Sequence, residues 1–162
     1  MTNDSNREPP GGWIQQGEHF LPVRVYYEDT DFSGLVYHAS YLRFMERGRS
    51  EFLRQCAVGH RELLQLDEPV FWTVRSISIR YSRPARVEDA LLVRTRVTAL
   101  TGARMHLDQS IERGAENLTN AAVEVCIISA TGRPQRIPGL IRKRLELYNV
   151  DRNQRGDDSG NA

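Results

Sequence analysis

The sequence predicts an α+β fold in which one long helix packs against an antiparallel β-sheet. Apolar residues recur at helical spacing over residues 41–58, and four segments with strand-like alternation follow. Short turns separate these segments, and consecutive strands joined by short turns pair antiparallel. The chain has 162 residues, the length of about one domain. It is therefore long enough to bury a core without disulfides or metals.

The first predicted element is a strand over residues 20–27, in which every second residue is apolar. An acidic loop then leads into the long helix, where Ser40 is placed to act as the N-cap. Gly48 lies on the apolar side of this helix. Because glycine lowers helix propensity, its presence there predicts that another element packs closely against it.

The four later strands are bounded by turn signals that contain glycine or proline. They are predicted over residues 70–81, 91–99, 104–112 and 119–130. In the first of them the alternation changes phase near Arg75 and Ser76, which predicts a β-bulge or a strong bend. A short helix over the final part of the domain completes the series.

Both ends of the chain are polar and have little to bury. We expect a flexible N-terminal tail over residues 1–18, a domain over residues 19–150 and a disordered C-terminal tail over residues 151–162. The N-terminus lacks the apolar run of a signal peptide, and no stretch approaches the length of a membrane span. Cys56 and Cys126 are expected to be separate buried thiols, so a cytoplasmic setting is predicted.

Composition and spacing argue against several kinds of function. The formal net charge is +1, whereas a protein built mainly to bind nucleic acid would carry a basic excess. No cluster of histidine, cysteine or carboxylate residues has metal-ligand spacing, so no metal is expected. The Walker and Rossmann glycine motifs are absent from the sequence, and we predict no cofactor.

The loop over residues 27–38 combines three carboxylates with two tyrosines and a histidine; the carboxylates are Glu28, Asp29 and Asp31. It runs into a helix start, whose free N–H groups would stabilise a carbonyl oxygen that becomes negative. A carboxylate there could activate water or attack the carbonyl directly. Gly34 would let the backbone approach a ligand. The alternative is a solvated acidic loop without a chemical role.

The stretch YYEDTDFSGLVYHASYLRFMERGRSEFLR resembles the signature of the 4-hydroxybenzoyl-CoA thioesterase family. It is most similar to the branch of bacterial acyl-CoA thioesterases associated with the Tol-Pal system. The stretch RSISIRYSRPARVEDALLVRT extends the resemblance, which covers about residues 20–148. The family signature has a tyrosine, an aspartate four residues on and a histidine seven further, which Tyr27, Asp31 and His38 match. The resemblance implies a hotdog fold, in which a five-stranded antiparallel sheet wraps one long central helix.

The resemblance also implies catalytic roles. Asp31 would act as a general base on water or as a nucleophile on the thioester carbonyl. His38 would orient the thioester and polarise its carbonyl through the backbone N–H, and Tyr27 would help to position Asp31.

Three further residues are expected to bind substrate. Phe32 and Gly34 would lie beside the acyl group. Arg104, next to a turn, is the first choice among several arginines for the phosphates of coenzyme A, because guanidinium groups bind phosphate well.

The predicted function is hydrolysis of an acyl-CoA to a free acid and coenzyme A, at a subunit interface in a dimer of dimers. One alternative is a non-catalytic adaptor that binds an acyl thioester or acyl carrier protein and is linked to the cell-envelope Tol-Pal system. Another is a hotdog dehydratase for 3-hydroxyacyl thioesters, with its catalytic carboxylate on the long helix at Glu46 or Glu51.

Overall fold

The computed structural model describes residues 10–149. The parts of the predicted tails over residues 1–9 and 151–162 lie outside the described residues. The segment for which the sequence predicts an N-terminal tail contains a short strand and the start of the next one, so the ordered fold begins before residue 19.

The described residues form one antiparallel sheet and three α-helices. The strands are β1 (Trp13–Gln15), β2 (Glu18–Arg24), β3 (Val70–Tyr81), β4 (Ala90–Leu100), β5 (Arg104–Arg113), β6 (Glu116–Ser129) and β7 (Pro134–Gln135). The helices are α1 (His38–Gln55), α2 (His60–Leu64) and α3 (Gly139–Glu146), with a one-turn 3-10 helix (Tyr27–Asp29) ahead of α1. The predicted α+β fold is confirmed, whereas the expected five strands become seven in the described part of the chain because β1 and β7 are added.

The strand order across the sheet is β1-β2-β4-β5-β6-β3, and β7 pairs with the end of β6. As predicted for consecutive strands, β4 pairs with β5 and β5 pairs with β6. β3 departs from this prediction, because it pairs with β6 and not with β4. The register between β3 and β6 shifts between Val74 and Ser76, which confirms the predicted bulge. Within residues 10–149, β3 has no strand on its other side and forms a long sheet edge.

The core lies between α1 and the face of the sheet that packs against it. Helix α1 packs against β2, β4 and β5, and its largest apolar side chains, Phe44, Met45 and Phe52, are fully buried. A Cβ added at Gly48 would lie 2.8 Å from Val93 Cγ1, so the predicted close approach at this glycine is confirmed. The inner face of β3 is less well covered, and Ile77 there stays partly exposed.

Helix α1 begins at His38, three residues before the predicted start. Its N-cap is Tyr37, and Ser40 is buried inside the first turn, so the predicted N-cap at Ser40 is wrong. A hydrogen bond outside the helix fixes the residue at which it starts: the N–H of Tyr37 donates to the carbonyl of Asp29 at 2.9 Å. The apolar periodicity of the helix gives no sign of this bond. Among the helices of residues 10–149, none has the length and apolarity needed to cross a membrane.

Candidate active site

The loop that precedes α1 folds back on itself as a tight hairpin. Thr30 and Val36 form an antiparallel bridge, and the N–H of Asp31 donates to the carbonyl of Leu35 at 2.9 Å. At the tip, the N–H of Gly34 donates to the carbonyl of Asp31 at 3.0 Å, with a φ of +77° at Gly34. Glycine adopts this left-handed conformation without strain, which explains its place in the turn.

The carboxylate of Asp31 is held by the residue two positions later in the chain. Its Oδ1 accepts a hydrogen bond from the hydroxyl of Ser33 at 2.5 Å and one from the N–H of Ser33 at 2.8 Å. These two bonds, together with the charge of His38, keep the pKa of Asp31 below its usual value. Asp31 is therefore an oriented, ionised carboxylate at neutral pH, and it is exposed in the single chain.

The two other carboxylates of the loop have different surroundings. Asp29 is 4% exposed, and its Oδ2 accepts the N–H of Tyr26 at 2.8 Å. Because its carbonyl also accepts the N–H of Tyr37, Asp29 ties the 3-10 turn to the start of α1. Glu28 faces solvent. Of the three acidic residues, only Asp31 reaches the pocket described next.

A pocket of about 330 Å³ lies between the loop, the start of α1 and the end of β3. Asp31 and His38 are both on its wall, together with Tyr41, Tyr81 and Arg83. The sequence-predicted carboxylate and the predicted helix start therefore share one cavity.

The start of α1 presents free backbone donors beside this cavity. The N–H groups of His38 and Ala39 have no acceptor within residues 10–149, as expected for the first turn of a helix. The His38 ring lies 4.4 Å from the ring of Tyr37, centroid to centroid. On the other side, the hydroxyl of Tyr81 donates to the carbonyl of His38 at 2.9 Å. The first residue of α1 is thus fixed to the last residue of β3.

Tyr41 forms the inner wall. It is 4% exposed, and its hydroxyl accepts the N–H of Ala85 at 2.8 Å. Its ring meets that of Tyr81 edge-on at 5.4 Å. Burial raises the pKa of the Tyr41 hydroxyl, so this side chain is neutral and serves as a rigid wall.

Four predicted site residues do not line this pocket in the single chain, and Gly34, at the tip of the hairpin, is one of them. Tyr27 is 86% exposed, and its hydroxyl has no hydrogen-bond partner in the described part of the chain. Phe32 is fully exposed. Arg104 lies on the outer face of the sheet, where its Nη1 is 3.3 Å from Glu124 Oε1, whereas its neighbour Met105 points into the core.

The structure adds residues that the sequence reasoning missed. Ser33 follows Asp31 by two positions, and this spacing is a recognisable signal for a side chain that accepts a backbone N–H in a turn. Tyr81 is 43 residues from His38, and Tyr41 is 44 residues from Ala85. No local pattern could have predicted those two contacts.

One antiparallel sheet packed on one long helix, with a pocket at the start of that helix, is the arrangement of a hotdog-fold thioester hydrolase. The chain belongs to the thioesterase-like superfamily, whose family model matches residues 25–145. The prediction of a hotdog-fold thioester hydrolase and the resemblance stated from the sequence are confirmed at the level of this family.

Two bacterial thioesterases are similar to this chain over most of its length. Acyl-CoA thioester hydrolase YbgC of Escherichia coli O6:H1 is 40% identical over 119 residues, which are 72% of this chain and 87% of that protein. Acyl-CoA thioesterase YbgC of Haemophilus influenzae is 39% identical over 119 residues, covering 73% of this chain and 87% of that protein.

Solved structures support the same family. A probable thioesterase from Bartonella henselae superposes with a TM-score of 0.72 and 45% identity, covering 75% of this chain and 99% of that one. A thioesterase from Thermus thermophilus solved with coenzyme A and zinc has a TM-score of 0.69 at 21% identity, over 80% of this chain and 93% of that one. The second likeness is one of fold alone.

Proposed function

We propose that the protein hydrolyses acyl-CoA thioesters to a carboxylic acid and coenzyme A, with Asp31 as the reacting carboxylate. The observation that carries this proposal is the shared pocket, which is lined both by Asp31, whose carboxylate is anchored by Ser33, and by His38, the first residue of α1. The substrate class is supported by the names of the E. coli and H. influenzae relatives.

In this proposal the thioester carbonyl points its oxygen at the N–H groups that open α1. As the carbonyl carbon becomes tetrahedral, its oxygen turns negative, and preorganised donors at a helix start stabilise that charge. The His38 N–H is the first such donor, and the bond from Tyr81 to the His38 carbonyl holds it in place.

Asp31 can complete the hydrolysis by two routes. As a general base it takes a proton from water while the water oxygen bonds to the carbonyl carbon; the carbon–sulfur bond then breaks and the thiolate receives the proton. As a nucleophile it forms an anhydride with the acyl group and releases the thiolate, and water then cleaves the anhydride. Both routes consume one water and give the free acid and the thiol.

The exposure of the loop supports an active site completed by a second subunit. Tyr27 and Phe32 place two large aromatic side chains in solvent beside Asp31, and the edge strand β3 runs past the same pocket. A second copy along this edge would cover the aromatic side chains and exclude water from the thioester. We assign a dimer of dimers, in which Tyr27 helps to position Asp31.

The remaining expected contacts concern the substrate. Phe32 and Gly34, at the tip of the hairpin, are assigned to the acyl side of the pocket. Arg104 is assigned to the phosphates of coenzyme A only in the assembled enzyme, because in one chain it is engaged by Glu124 on the outer face of the sheet.

The proposal also includes a location in the cytoplasm and the group that carries the acyl thioester, which is coenzyme A or an acyl carrier protein. Both cysteines are free, and burial raises the pKa of the Cys56 thiol to about 12, which fits a reducing cytoplasm. An acyl carrier protein presents the same thioester as coenzyme A, so acylated carrier protein belongs in the substrate panel.

The test is hydrolysis of a panel of aliphatic and aromatic acyl-CoAs by Asp31→Asn. We expect the loss of nearly all turnover, with unchanged circular dichroism and unchanged sedimentation. Glu28→Gln is the matched control, because it removes a solvent-facing carboxylate from the same loop and should keep wild-type rates.

Other outcomes would point to the rival functions. Saturable binding of acyl thioesters without turnover by the wild type would favour the adaptor linked to the Tol-Pal system. An active Asp31→Asn combined with an inactive Glu46→Gln would favour a dehydratase, since Glu46 lies on α1.

A further inference from the structure

The turn over residues 84–89, between β3 and β4, is hydrogen-bonded to the backbone on both sides of Asp31. On the N-terminal side, the N–H of Val25 donates to the carbonyl of Asp89 at 3.0 Å. The carbonyl of Val25 accepts the N–H of Glu88 at 2.9 Å. Because Val25 is fully buried, these two bonds fix the start of the loop against the core.

The same turn is bonded to the second strand of the hairpin that carries Asp31. The N–H of Val36 donates to the carbonyl of Ala85 at 2.9 Å, and Leu35 forms an antiparallel bridge with Arg86. The carbonyl of Leu35 in turn accepts the N–H of Asp31 at 2.9 Å. Leu35 thus joins the turn to the backbone of Asp31, so a displacement of the turn would displace the reacting carboxylate.

The carboxylate of Asp89 holds the 84–89 turn in shape. Its Oδ2 accepts the N–H of Arg86 at 2.9 Å and also accepts Nη1 of Arg113, the last residue of β5, at 2.7 Å. Nη1 of Arg113 donates to the carbonyl of Pro84 as well, at 3.3 Å. Hydrogen bonds between ionised groups are stronger than neutral ones, so this ion pair anchors the turn to β5.

The backbone of the turn is strained. Glu88 has a φ of +69°, a left-handed conformation that is uncommon for a residue other than glycine. Such conformations persist where the surrounding contacts hold them in place. One of these contacts is the bond from Nη1 of Arg24 to the carbonyl of Glu88 at 2.7 Å. We therefore expect the turn to relax when the carboxylate of Asp89 is removed.

The turn also supports the wall of the pocket that contains Asp31. The N–H of Ala85 donates to the hydroxyl of Tyr41 at 2.8 Å, and Pro84 lines the pocket directly. A relaxed turn would therefore move the wall together with the reacting carboxylate.

We propose that Asp89, anchored by Arg113, is a positioning residue that places Asp31 relative to the start of α1. The inference rests on the proposed function, because Asp31 is the group that Asp89 positions. If the ion pair supported the fold alone, its loss would lower thermal stability and leave the hydrolysis rate of the folded protein unchanged.

The experiment compares the kinetics of Asp89→Ala and Asp89→Asn with those of the wild type, on an acyl-CoA that the wild type hydrolyses and well below the unfolding temperature. Asp89→Ala should lower kcat by about 10- to 100-fold, because misplacing a reacting group by about 1 Å costs about 100-fold. KM should change by less than about twofold, since Asp89 does not contact the substrate. Asp89→Asn keeps an oxygen that can accept the N–H of Arg86, so it should recover most of the lost kcat.

Amide hydrogen exchange measures the same displacement without requiring activity. The N–H groups of Asp31 and Val36 should exchange faster in Asp89→Ala than in the wild type, because the hairpin loses its support. Asp108→Ala is the matched control, since Oδ2 of Asp108 accepts Nη2 of Arg96 at 3.0 Å in another ion pair between β4 and β5. It should keep wild-type kcat and wild-type exchange at both amides.

The proposal is overturned if folded Asp89→Ala keeps wild-type kcat, or if the amides of Asp31 and Val36 exchange as they do in the wild type. Arg113→Met decides the matter if Asp89→Ala does not fold, because it removes the anchor and leaves the carboxylate in place. It should lower kcat by about threefold or more, and an unchanged kcat would also overturn the proposal. The proposed function fails separately, through a wild type without turnover or an active Asp31→Asn.

Discussion

The hydroxyl of Tyr81 donates to the carbonyl oxygen of His38 at 2.9 Å, and this bond joins the end of the edge strand to the first residue of the long helix. Because the same helix start carries N–H groups without an acceptor within residues 10–149 and lines the pocket of Asp31, we expect Tyr81→Phe to misplace those donors. One hydrogen bond contributes about 0.5–1.5 kcal/mol, so kcat should fall by about 2- to 10-fold. Steady-state kinetics should show the loss in kcat, with little change in KM.

The control for this variant is Tyr148→Phe, since no hydrogen-bond partner of the Tyr148 hydroxyl is found within residues 10–149. It should keep wild-type kcat. A fall in thermal stability with unchanged kcat in Tyr81→Phe would show that the bond supports only the fold.

Ser33 should set the acid limit of the activity. Hydrogen bonds from its hydroxyl and its N–H hold the pKa of Asp31 below the usual value, so the reacting carboxylate stays ionised as the pH falls through that usual value. Ser33→Ala removes the hydroxyl bond, and the pKa of Asp31 then rises towards its ordinary value. The acidic limb of the kcat/KM profile should therefore move to higher pH.

Ser82→Ala is the matched control for the pH profile, because Ser82 lines the same pocket and makes no hydrogen bond to Asp31. Its acidic limb should coincide with that of the wild type. An unshifted limb in Ser33→Ala would mean that another group controls the acid side of the profile.

The elements that the sequence predicted well are those with a strong local period. The apolar spacing of α1 and the alternation of β4 and β5 depend on neighbouring residues, and so does the phase change at Ser76. The predicted start of α1 was wrong, because the hydrogen bond from the Tyr37 N–H to the Asp29 carbonyl fixes the first residue of the helix. This bond cannot be predicted from the apolar spacing within the helix. β1, β7 and α2 are too short to show a period.

The candidate site was predictable only where it is local. Asp31 and His38 share a pocket because a short hairpin joins them, and that closeness follows from their spacing. Tyr41 and Tyr81 form walls of the pocket because β3 lies at the sheet edge beside β6. The order of strands in a sheet cannot be predicted from the periodicity of any one segment. Arg104 lies on the face of β5 opposite the buried Met105, and its expected contact with the substrate stays a prediction.

Gly48 should be nearly irreplaceable, although alanine favours helices. An added Cβ would lie 2.8 Å from Val93 Cγ1 and 3.1 Å from Thr95 Oγ1, and both neighbours are fully buried and short, so neither can turn away. Overpacking costs about 1–3 kcal/mol, against about 1 kcal/mol gained in helix propensity. Gly48→Ala should therefore lower the free energy of unfolding in urea by up to about 2 kcal/mol. Gly139→Ala is the control, because it opens α3 with nothing within 4 Å of an added Cβ, and it should cause no loss. A stabilised Gly48→Ala would show that β4 can move away from the helix.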